Sequence, residues 1–251
     1  MSIRDKFPPL NRFLTGYDLK HAYNAEQQKI DVSRIIAGSE GTLGFVSEAR
    51  LNITPIPKHR VLVNVKYSNF QAALENSPFL VDAKATSVET VDSTVLNLAR
   101  QDIIWKSVEP LLSDVEGQRM DGINMVEFTG LNQEEIDSKV NSLTQRLDKL
   151  IKSKDSKGVI GYQVCDDSPS IQLIYAMRKK SVGLLGATKG RRKPVAFAED
   201  TAVPPEKLAD FINEFRALLD ANGLHYGMFG HADAGVLHVR PALDLCEPED
   251  E

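Results

Sequence analysis

Two histidines flank a short polar turn near the end of the 251-residue chain, in the stretch GHADAGVLH. A two-residue loop at Ala234-Gly235 would place His231 directly opposite His238 on one face of a β-hairpin, with Cβ atoms about 4.5–5.5 Å apart. Two imidazoles at that separation can bind one Zn²⁺, for which Zn–N distances are about 2.0–2.1 Å. The alternative is an ordinary core hairpin whose histidines hydrogen-bond to the backbone.

A catalytic metal site commonly has three protein ligands and one open position, so two histidines need a third donor. Spacing does not choose among the side chains that could supply it, which are His225, Asp233 and Glu199. The acidic residues are scattered, and no pair of them has a spacing that indicates general acid–base chemistry. Besides Glu199, the acids considered are Glu89, Asp92, Glu127 and Asp200.

The glycine-rich stretch AGSEGTLG, residues 37–44, could lie against a cofactor or a phosphate. Three glycines permit a close approach of the backbone, and two hydroxyls add hydrogen-bond donors. The stretch matches neither the P-loop pattern nor GxGxxG. A plain turn is the alternative, and the spacing alone favours it.

Arg178 lies in an otherwise apolar helical stretch, YAMRKKSVGLLG, where a guanidinium could present a bidentate fork to a substrate carboxylate. The basic loop KGRRK, residues 189–193, is interpreted as solvated surface. A nucleic-acid site is not indicated, because the chain carries a net charge of −5.

These residues must be positioned by strands and helices that alternate from Arg60 onward. The strands alternate apolar and polar residues, which predicts an antiparallel sheet with helices on one side. The predicted fold class is α+β, a largely antiparallel sheet covered by helices and built from ferredoxin-like split β-α-β units. Strands are predicted at 61–67, 122–130 and 159–165 and in the histidine hairpin, and one continuous helix is predicted over 92–112.

Residues 1–55 differ from the rest, because they are rich in turns and resemble the end of a domain rather than a whole one. Prolines at 55 and 57 favour a boundary, so two parts are predicted, 1–55 and 56–251. The sequence has no apolar run near the roughly 18 residues of a spanning helix, and it lacks the apolar core of a secretory signal. With only two cysteines and no CxxC pair, a cytoplasmic location with unpaired thiols is expected.

Several stretches together resemble one family. RIIAGSEGTLGFVSEARLNITPIP looks like the closing segment of the FAD-binding domain of vanillyl-alcohol-oxidase-type flavoproteins. EDTAVPPEKL and FGHADAGVLHVRP resemble the C-terminal FAD-linked oxidase domain of their D-2-hydroxyacid dehydrogenase branch. GYDLKHAYN and SVETVDSTVLNLARQDIIW look most like large bacterial members that join the flavoprotein to an iron–sulfur module and oxidise D-2-hydroxyglutarate.

The resemblance implies an FAD-dependent dehydrogenase that converts a D-2-hydroxyacid, favoured as D-2-hydroxyglutarate, to the 2-oxoacid by hydride transfer to the flavin. It implies that residues 1–55 are the tail of the FAD-binding domain and that 56–251 are the substrate domain. Arg178 would grip the substrate carboxylate, and His231 and His238 would bind a divalent metal, usually zinc. The residues implied to lie near FAD are Tyr17, Asp18, Gly38, Ser39, Gly41, Thr42 and Gly44.

The chain also departs from the family pattern. Arg240 stands where some relatives have a substrate-contacting asparagine, and Val182 stands where they have a hydroxyl. A five-carbon diacid needs a second cationic contact, which Arg240 or the basic loop could supply. The family's third metal ligand and catalytic histidine come from a segment that would follow Glu251. No catalytic residue is therefore expected in this chain, and the chain alone is expected to be inactive without tight FAD binding.

Two other functions stay open, namely oxidation of D-lactate or glycolate, and a non-catalytic module that binds a metal or a small acid. The expected partner is a small 2-hydroxyacid, with no nucleic acid and no transmembrane segment. An iron–sulfur cluster is expected elsewhere in a full-length protein. The sequence does not indicate the electron acceptor, the identity of the metal or whether a homo-oligomer forms.

Overall fold

The computed structural model describes residues 3–7 and 16–251. Residues 1–2 and 8–15, which belong to the N-terminal part considered above, lie outside the described residues. The chain divides into two compact units, one up to Ile56 and one from Pro57 to Glu251, and each is described by itself. No helix among the described residues is long and apolar enough to cross a membrane.

The first unit has little regular structure in its described part. Its elements are helix α1 (Ile3–Lys6), strands β1 (Tyr23–Asn24) and β2 (Lys29–Ile30), which pair antiparallel, and helix α2 (Ser33–Ala37). Residues 45–56 form neither helix nor strand. Their large apolar side chains are exposed, as Phe45 at 95% and Ile53 at 93% illustrate.

The second unit is an eight-stranded sheet flanked by helices. Its strands are β3 (His59–Tyr67), β4 (Ser87–Asp92), β5 (Gly122–Gly130), β6 (Val159–Cys165), β7 (Lys193–Pro194), β8 (Ala198–Ala202), β9 (Tyr226–His231) and β10 (Val236–Leu243). Its helices are α3 (Phe70–Glu75), α4 (Ser77–Asp82), α5 (Ser93–Gln101), α6 (Trp105–Leu112), α7 (Gln133–Lys152), α8 (Ser168–Gly186) and α9 (Leu208–Ala221).

The strand order is β6-β3-β5-β4-β9-β10-β7, β8 also pairs with β10, and all of these pairings are antiparallel. β3 leads to β4 through α3 and α4, but β5 lies between them in the sheet. Likewise β5 leads to β6 through α7, with β3 between them. These are two split β-α-β units, so the predicted α+β class with a largely antiparallel, helix-covered sheet is confirmed.

The prediction that helices cover only one side of the sheet is wrong. One face, with Val63 and Phe128, packs against α3, α4, α7 and α9, and the other, with Leu62, packs against α5, α6 and α8. Polar residues at alternate strand positions predict a solvent-facing side of each strand, but Lys66 on one face of the sheet and Asn124 on the other are both buried. The Lys66 ammonium donates to a carbonyl after α6 at 2.7 Å, and Asn124 donates to a carbonyl of α3 at 2.8 Å. Long-range carbonyl acceptors therefore bind N–H donors of side chains that appear solvent-facing in the sequence.

The continuous helix predicted over 92–112 is interrupted between α5 and α6. The Asp102 carboxylate accepts the Ile104 N–H at 2.8 Å and the ammonium of Lys180 on α8. Lys180 is distant from this segment in the sequence, so the hydrophobic periodicity of residues 92–112 cannot reveal the contact.

Asp92 joins helix α5 to strand β9. Its Oδ1 caps α5 by accepting the Val95 N–H at 2.8 Å, and its Oδ2 accepts the Met228 N–H at 2.8 Å. The pKa of Asp92 is raised from 3.8 to about 7, because burial raises it by more than the amide donors and the charge of Arg216 lower it. The folded protein therefore binds a proton at this site more tightly than the unfolded chain does.

We expect Asp92→Asn to remove a pH-dependent part of the stability. Because the pKa of Asp92 is raised by folding, this contribution is complete below about pH 4 and is lost as the pH rises through about 7. Urea denaturation measures the free energy of unfolding of both proteins. The excess of the parent over the variant should fall by about 1–3 kcal/mol between pH 5 and pH 8. The matched control is Asp167→Asn, at the exposed cap of α8, where the pKa is lowered. A difference independent of pH at Asp92 would contradict this prediction.

Candidate functional site

The hairpin of β9 and β10 carries both histidines, but its register differs from the predicted one. His231 pairs with Val236 and Phe229 pairs with His238, so the loop covers residues 232–235. The prediction of a two-residue loop with the histidines directly opposed is therefore wrong. A slip of two residues leaves each side chain on its original face, because strand side chains alternate with period two. The histidines are diagonal neighbours, with ring centroids 5.5 Å apart and planes inclined by 81°.

The conformation of the loop sets this register. Ala232–Ala234 form a single 3-10 turn, and Gly235 follows in the left-handed region with φ of 66°. The carbonyl of Gly235 accepts the Val203 N–H at 3.0 Å. The segment after β8 thus holds the turn from outside the hairpin, and local sequence gives no sign of that contact.

Glu89 on β4 links an arginine to a histidine. It lies opposite His231 in the β4–β9 ladder, with its Oε1 2.6 Å from His231 Nδ1. Its Oε2 lies 3.0 Å from Nε and 2.9 Å from Nη2 of Arg178, and the two side chains are only 14% and 12% exposed. Burial acts to raise the pKa of Glu89, but the hydrogen bond with His231 and the charge of Arg178 outweigh it and lower this pKa.

The ring of Phe229 lies among the other predicted site residues. The guanidinium carbon of Arg178 is 4.5 Å from the ring centroid, and that of Arg240 is 5.4 Å from it, distances typical of cation–π contacts. The ring of His238 is 5.1 Å away, centroid to centroid. Arg240 also donates through Nε to Glu199. The structure therefore brings both predicted arginines and both predicted histidines together on one face of the sheet.

His238 has a buried nitrogen without a hydrogen bond. Its Nδ1 lies 3.3 Å from Asp200 Oδ1, within ion-pair distance, but the pair lacks hydrogen-bond geometry. No other acceptor or donor for this nitrogen exists in residues 3–7 and 16–251. Burial lowers the pKa of His238, and the charges of Asp200 and Glu199 oppose this by less. A neutral imidazole with an unsatisfied nitrogen is suited to binding a cation.

The two imidazoles fit a metal in part. The bond from His231 Nδ1 to Glu89 leaves Nε2 available, which is the usual arrangement of a metal-binding histidine. Over the described ranges, however, no three His, Cys, Asp or Glu side chains are grouped so that they could hold a metal ion. None of the candidate third donors completes such a group, neither His225 nor Asp233 nor Glu199.

The basic loop, residues 189–193, lines a separate cavity of about 700 Å³ together with His225. Arg191 of this loop pairs with Asp244 and Glu247, both at 2.9 Å. Arg240 contacts the same ring as Arg178, whereas the loop lines a different cavity, so Arg240 is the nearer to Arg178 of the two predicted sources of a second cationic contact.

The residues predicted to contact FAD lie in the first unit. Gly41, with φ of 82°, and Gly44 both face open space, which suits the approach of a flat cofactor. Gly38 differs, because a Cβ there would lie 2.2 Å from the carbonyl oxygen of Gly16, so it permits a contact within the unit.

The polar groups of this segment are largely engaged within the unit. The Ser39 hydroxyl donates to the carbonyl of residue 36 at 2.8 Å, and the Thr42 hydroxyl donates to the Ser39 carbonyl at 2.7 Å. Tyr17 approaches Thr42, with 3.5 Å between their hydroxyl oxygens. Asp18 is buried and contacts His21 Nδ1 at 2.8 Å and Arg34 Nη1 at 3.4 Å. The open glycines are therefore the part of this segment that fits a flavin best.

Sequence reasoning assigned no role to Glu89 or Phe229. Alternation along β4 places Glu89 and Val91 on one face, which is the only local signal available. The partner histidine lies 142 residues further along the chain. Only the pairing of β4 with β9 makes Glu89 a neighbour of the histidine hairpin.

Comparisons with known proteins agree with this architecture. The family model of FAD linked oxidases, C-terminal domain, matches residues 56–251. The D-2-hydroxyglutarate dehydrogenase of Escherichia coli (strain K12) is 63% identical over 249 residues, which are 99% of this chain and 24% of that protein. The enzyme of the same name from Haemophilus influenzae is 60% identical over 242 residues, 96% of this chain and 24% of that protein. This chain therefore spans about a quarter of the length of these curated relatives.

A solved structure supports the fold. An alkyldihydroxyacetonephosphate synthase aligns with a TM-score of 0.59 at 15% identity, over 87% of this chain and 42% of that one. At this identity the likeness concerns the fold alone. The family match over residues 56–251 covers more than half of the chain. The chain belongs to the family of FAD linked oxidases, C-terminal domain.

Proposed function

We propose that this chain is the substrate-binding part of an FAD-dependent dehydrogenase that oxidises a D-2-hydroxyacid, favoured as D-2-hydroxyglutarate, to the 2-oxoacid. The observation that carries the proposal is the pair of arginines, Arg178 and Arg240, against one ring, Phe229. A five-carbon diacid has two carboxylates, and the pair offers a guanidinium to each. The names of the relatives at 63% and 60% identity support the choice of substrate.

Each arginine is held by a glutamate that contacts only some of the N–H donors of the guanidinium. A guanidinium has five N–H donors, and Glu89 contacts only Nε and Nη2 of Arg178. Glu199 contacts Nε of Arg240. The remaining donors are thereby oriented before a substrate carboxylate arrives, which lowers the entropy lost on binding.

Charge balance favours a divalent cation in this site. Glu89 and Glu199 offset the charges of the two arginines, so a dicarboxylate would bring uncompensated negative charge onto a largely buried face. We propose that His231 and His238 hold this cation, zinc being the metal that suits neutral imidazoles. Substrate, water or a residue outside this chain would complete the coordination. When bound, the metal supplies polarisation of the substrate's hydroxyl and carboxylate oxygens.

Residues 1–55 are proposed to be the tail of an FAD-binding domain, and residues 56–251 the substrate domain. Tyr17, Asp18 and the stretch 37–44 would contribute to the flavin site, and FAD, when bound, accepts the hydride. We place the general base outside this chain, so the chain alone is expected to be inactive. The iron–sulfur cluster and a cytoplasmic location remain predictions.

The proposal is tested by replacing Arg240 with methionine in the full-length gene product. KM for D-2-hydroxyglutarate is expected to rise by about 10–100-fold, because one charge-assisted contact to the second carboxylate is lost. KM for D-lactate, which has no second carboxylate, should stay near the parent value. Steady-state assays with a dye acceptor measure both.

Arg191→Met in the basic loop is the matched control, and it should leave both substrates unaffected. Equal losses on the two substrates with Arg240→Met would remove Arg240 from substrate recognition. Failure of the parent to oxidise either acid would contradict the proposed function itself.

A further inference from the structure

We infer that Glu89 is a positioning residue that holds the anion-binding arginine and the metal-binding histidine at once, so that one carboxylate couples the two halves of the site. The inference rests on the proposed function. The two carboxylate oxygens of Glu89 serve different partners, Oε1 facing His231 and Oε2 facing Arg178. The charge of Glu89 and its position along β4 do not by themselves indicate this double role. The role depends on strand β9, which carries His231, and on helix α8, which carries Arg178.

Toward His231, Glu89 determines which ring nitrogen carries the proton. A carboxylate 2.6 Å from Nδ1 accepts a hydrogen bond from it, so the neutral ring is protonated at Nδ1 and has its lone pair on Nε2. The ladder register places Glu89 opposite His231, so backbone pairing maintains the separation of these two side chains. In that tautomer the nitrogen that faces a cation carries the lone pair.

Toward Arg178, Glu89 fixes the orientation of the guanidinium plane. Its Oε2 contacts Nε and Nη2, which form one edge of the fork, at 3.0 and 2.9 Å. Phe229 lies 4.5 Å from the guanidinium carbon and restricts the plane further. These contacts do not use Nη1, so this part of the fork can meet a carboxylate in a defined orientation.

The same face provides a matched pair for comparison. Glu127 on β5 binds the Arg60 side chain and accepts from the Ser87 hydroxyl at 3.3 Å. It is also largely buried, with an 11% exposed side chain. In the ladder it lies opposite Leu62 and Ser87, and no histidine is among its hydrogen-bond partners in the described residues. Loss of its charge therefore breaks an Arg–Glu pair without affecting a metal ligand.

The test compares Glu89→Gln, Glu89→Asp and Glu127→Gln with the parent chain. Zn²⁺ affinity is measured by competition with a chromogenic chelator, and the His231 tautomer is read from ¹⁵N NMR of the metal-free chain. Glu89→Gln should weaken Zn²⁺ binding by about 10–100-fold and reduce the Nδ1-protonated population. Glu127→Gln should change neither quantity. Glu89→Asp keeps the charge on a shorter side chain and should restore part of both.

Each outcome has a distinct meaning. An unchanged tautomer together with parental Zn²⁺ affinity in Glu89→Gln would overturn the inference. Equal effects of Glu127→Gln would overturn it too, because they would indicate a general loss of structure. A parent chain without measurable Zn²⁺ affinity, but with a tautomer that depends on Glu89, would reject the proposed metal and support the positioning role. If Glu89→Gln does not fold, Glu89→Asp decides by the same two readouts.

Discussion

Replacement of Arg178 by lysine in the full-length protein is expected to lower kcat/KM for a D-2-hydroxyacid by about 10²–10³-fold, a loss of about 3–4 kcal/mol. Lysine keeps the charge but lacks the planar fork that contacts Glu89 through Nε and Nη2. Its ammonium has three donors but no rigid plane, so contact with Glu89 no longer fixes the direction of a donor toward a substrate carboxylate. The buried glutamate would then compete with the substrate for one cation.

Arg60→Lys is the control for this experiment, because Arg60 forms a comparable pair with Glu127 on the same face. Its kcat/KM should stay near that of the parent. Steady-state kinetics and circular dichroism of both variants separate a loss of substrate binding from a loss of folding. A parental kcat/KM in Arg178→Lys would show that the fork is not required for substrate binding.

Gly235→Ala is expected to be among the most destabilising single substitutions in this chain, with a loss on the order of 4 kcal/mol. An added Cβ would lie 1.7 Å from the Val203 carbonyl oxygen, and the residue has φ of 66°. The overlap is with backbone, so no side chain can rotate away to relieve it. The turn would have to separate from Val203, and the register that brings both histidines to one face would be disturbed.

Gly223→Ala isolates the contribution of backbone conformation. Gly223 has nearly the same φ, 65°, but nothing lies within 4 Å of its added Cβ. It should lose only about 1 kcal/mol, the cost of a left-handed alanine. Urea denaturation measures both variants, and equal losses would mean that the contact with Val203 does not determine the effect.

Local signals predicted much of the fold. The strands over 122–130 and 159–165 begin and end where the apolar patterns and turn residues indicate. Asn132, which precedes a periodic apolar run, caps α7 by accepting hydrogen bonds from the N–H groups of Glu134 and Glu135. These features depend on contacts within a few residues, so their signals are present in short stretches of sequence.

Features that depend on distant partners could not be predicted in this way. Strand alternation predicts one covered face, but both are covered, because buried Lys66 and Asn124 resemble solvent-facing residues until their carbonyl partners are known. The break between α5 and α6 involves Lys180 of α8. In both cases the missing information is a long-range hydrogen bond, which periodicity along one segment does not contain.

By itself, the sequence determined the residue types of the candidate site and their placement on elements. Arg178 on a helix and His231 and His238 on a hairpin follow from local patterns and from the family resemblance. The shared face of the histidines also follows, because strand alternation tolerates a slip of two residues.

Only the tertiary structure decided how these side chains meet. The loop held by Val203 sets the register, and the pairing of β4 with β9 brings Glu89 to His231. The packing of α8 then brings Arg178 to the same carboxylate. The physical reason is that strand order and helix docking are fixed by burial summed over the whole sheet. The neighbours of one charged side chain therefore depend on residues far away in the chain.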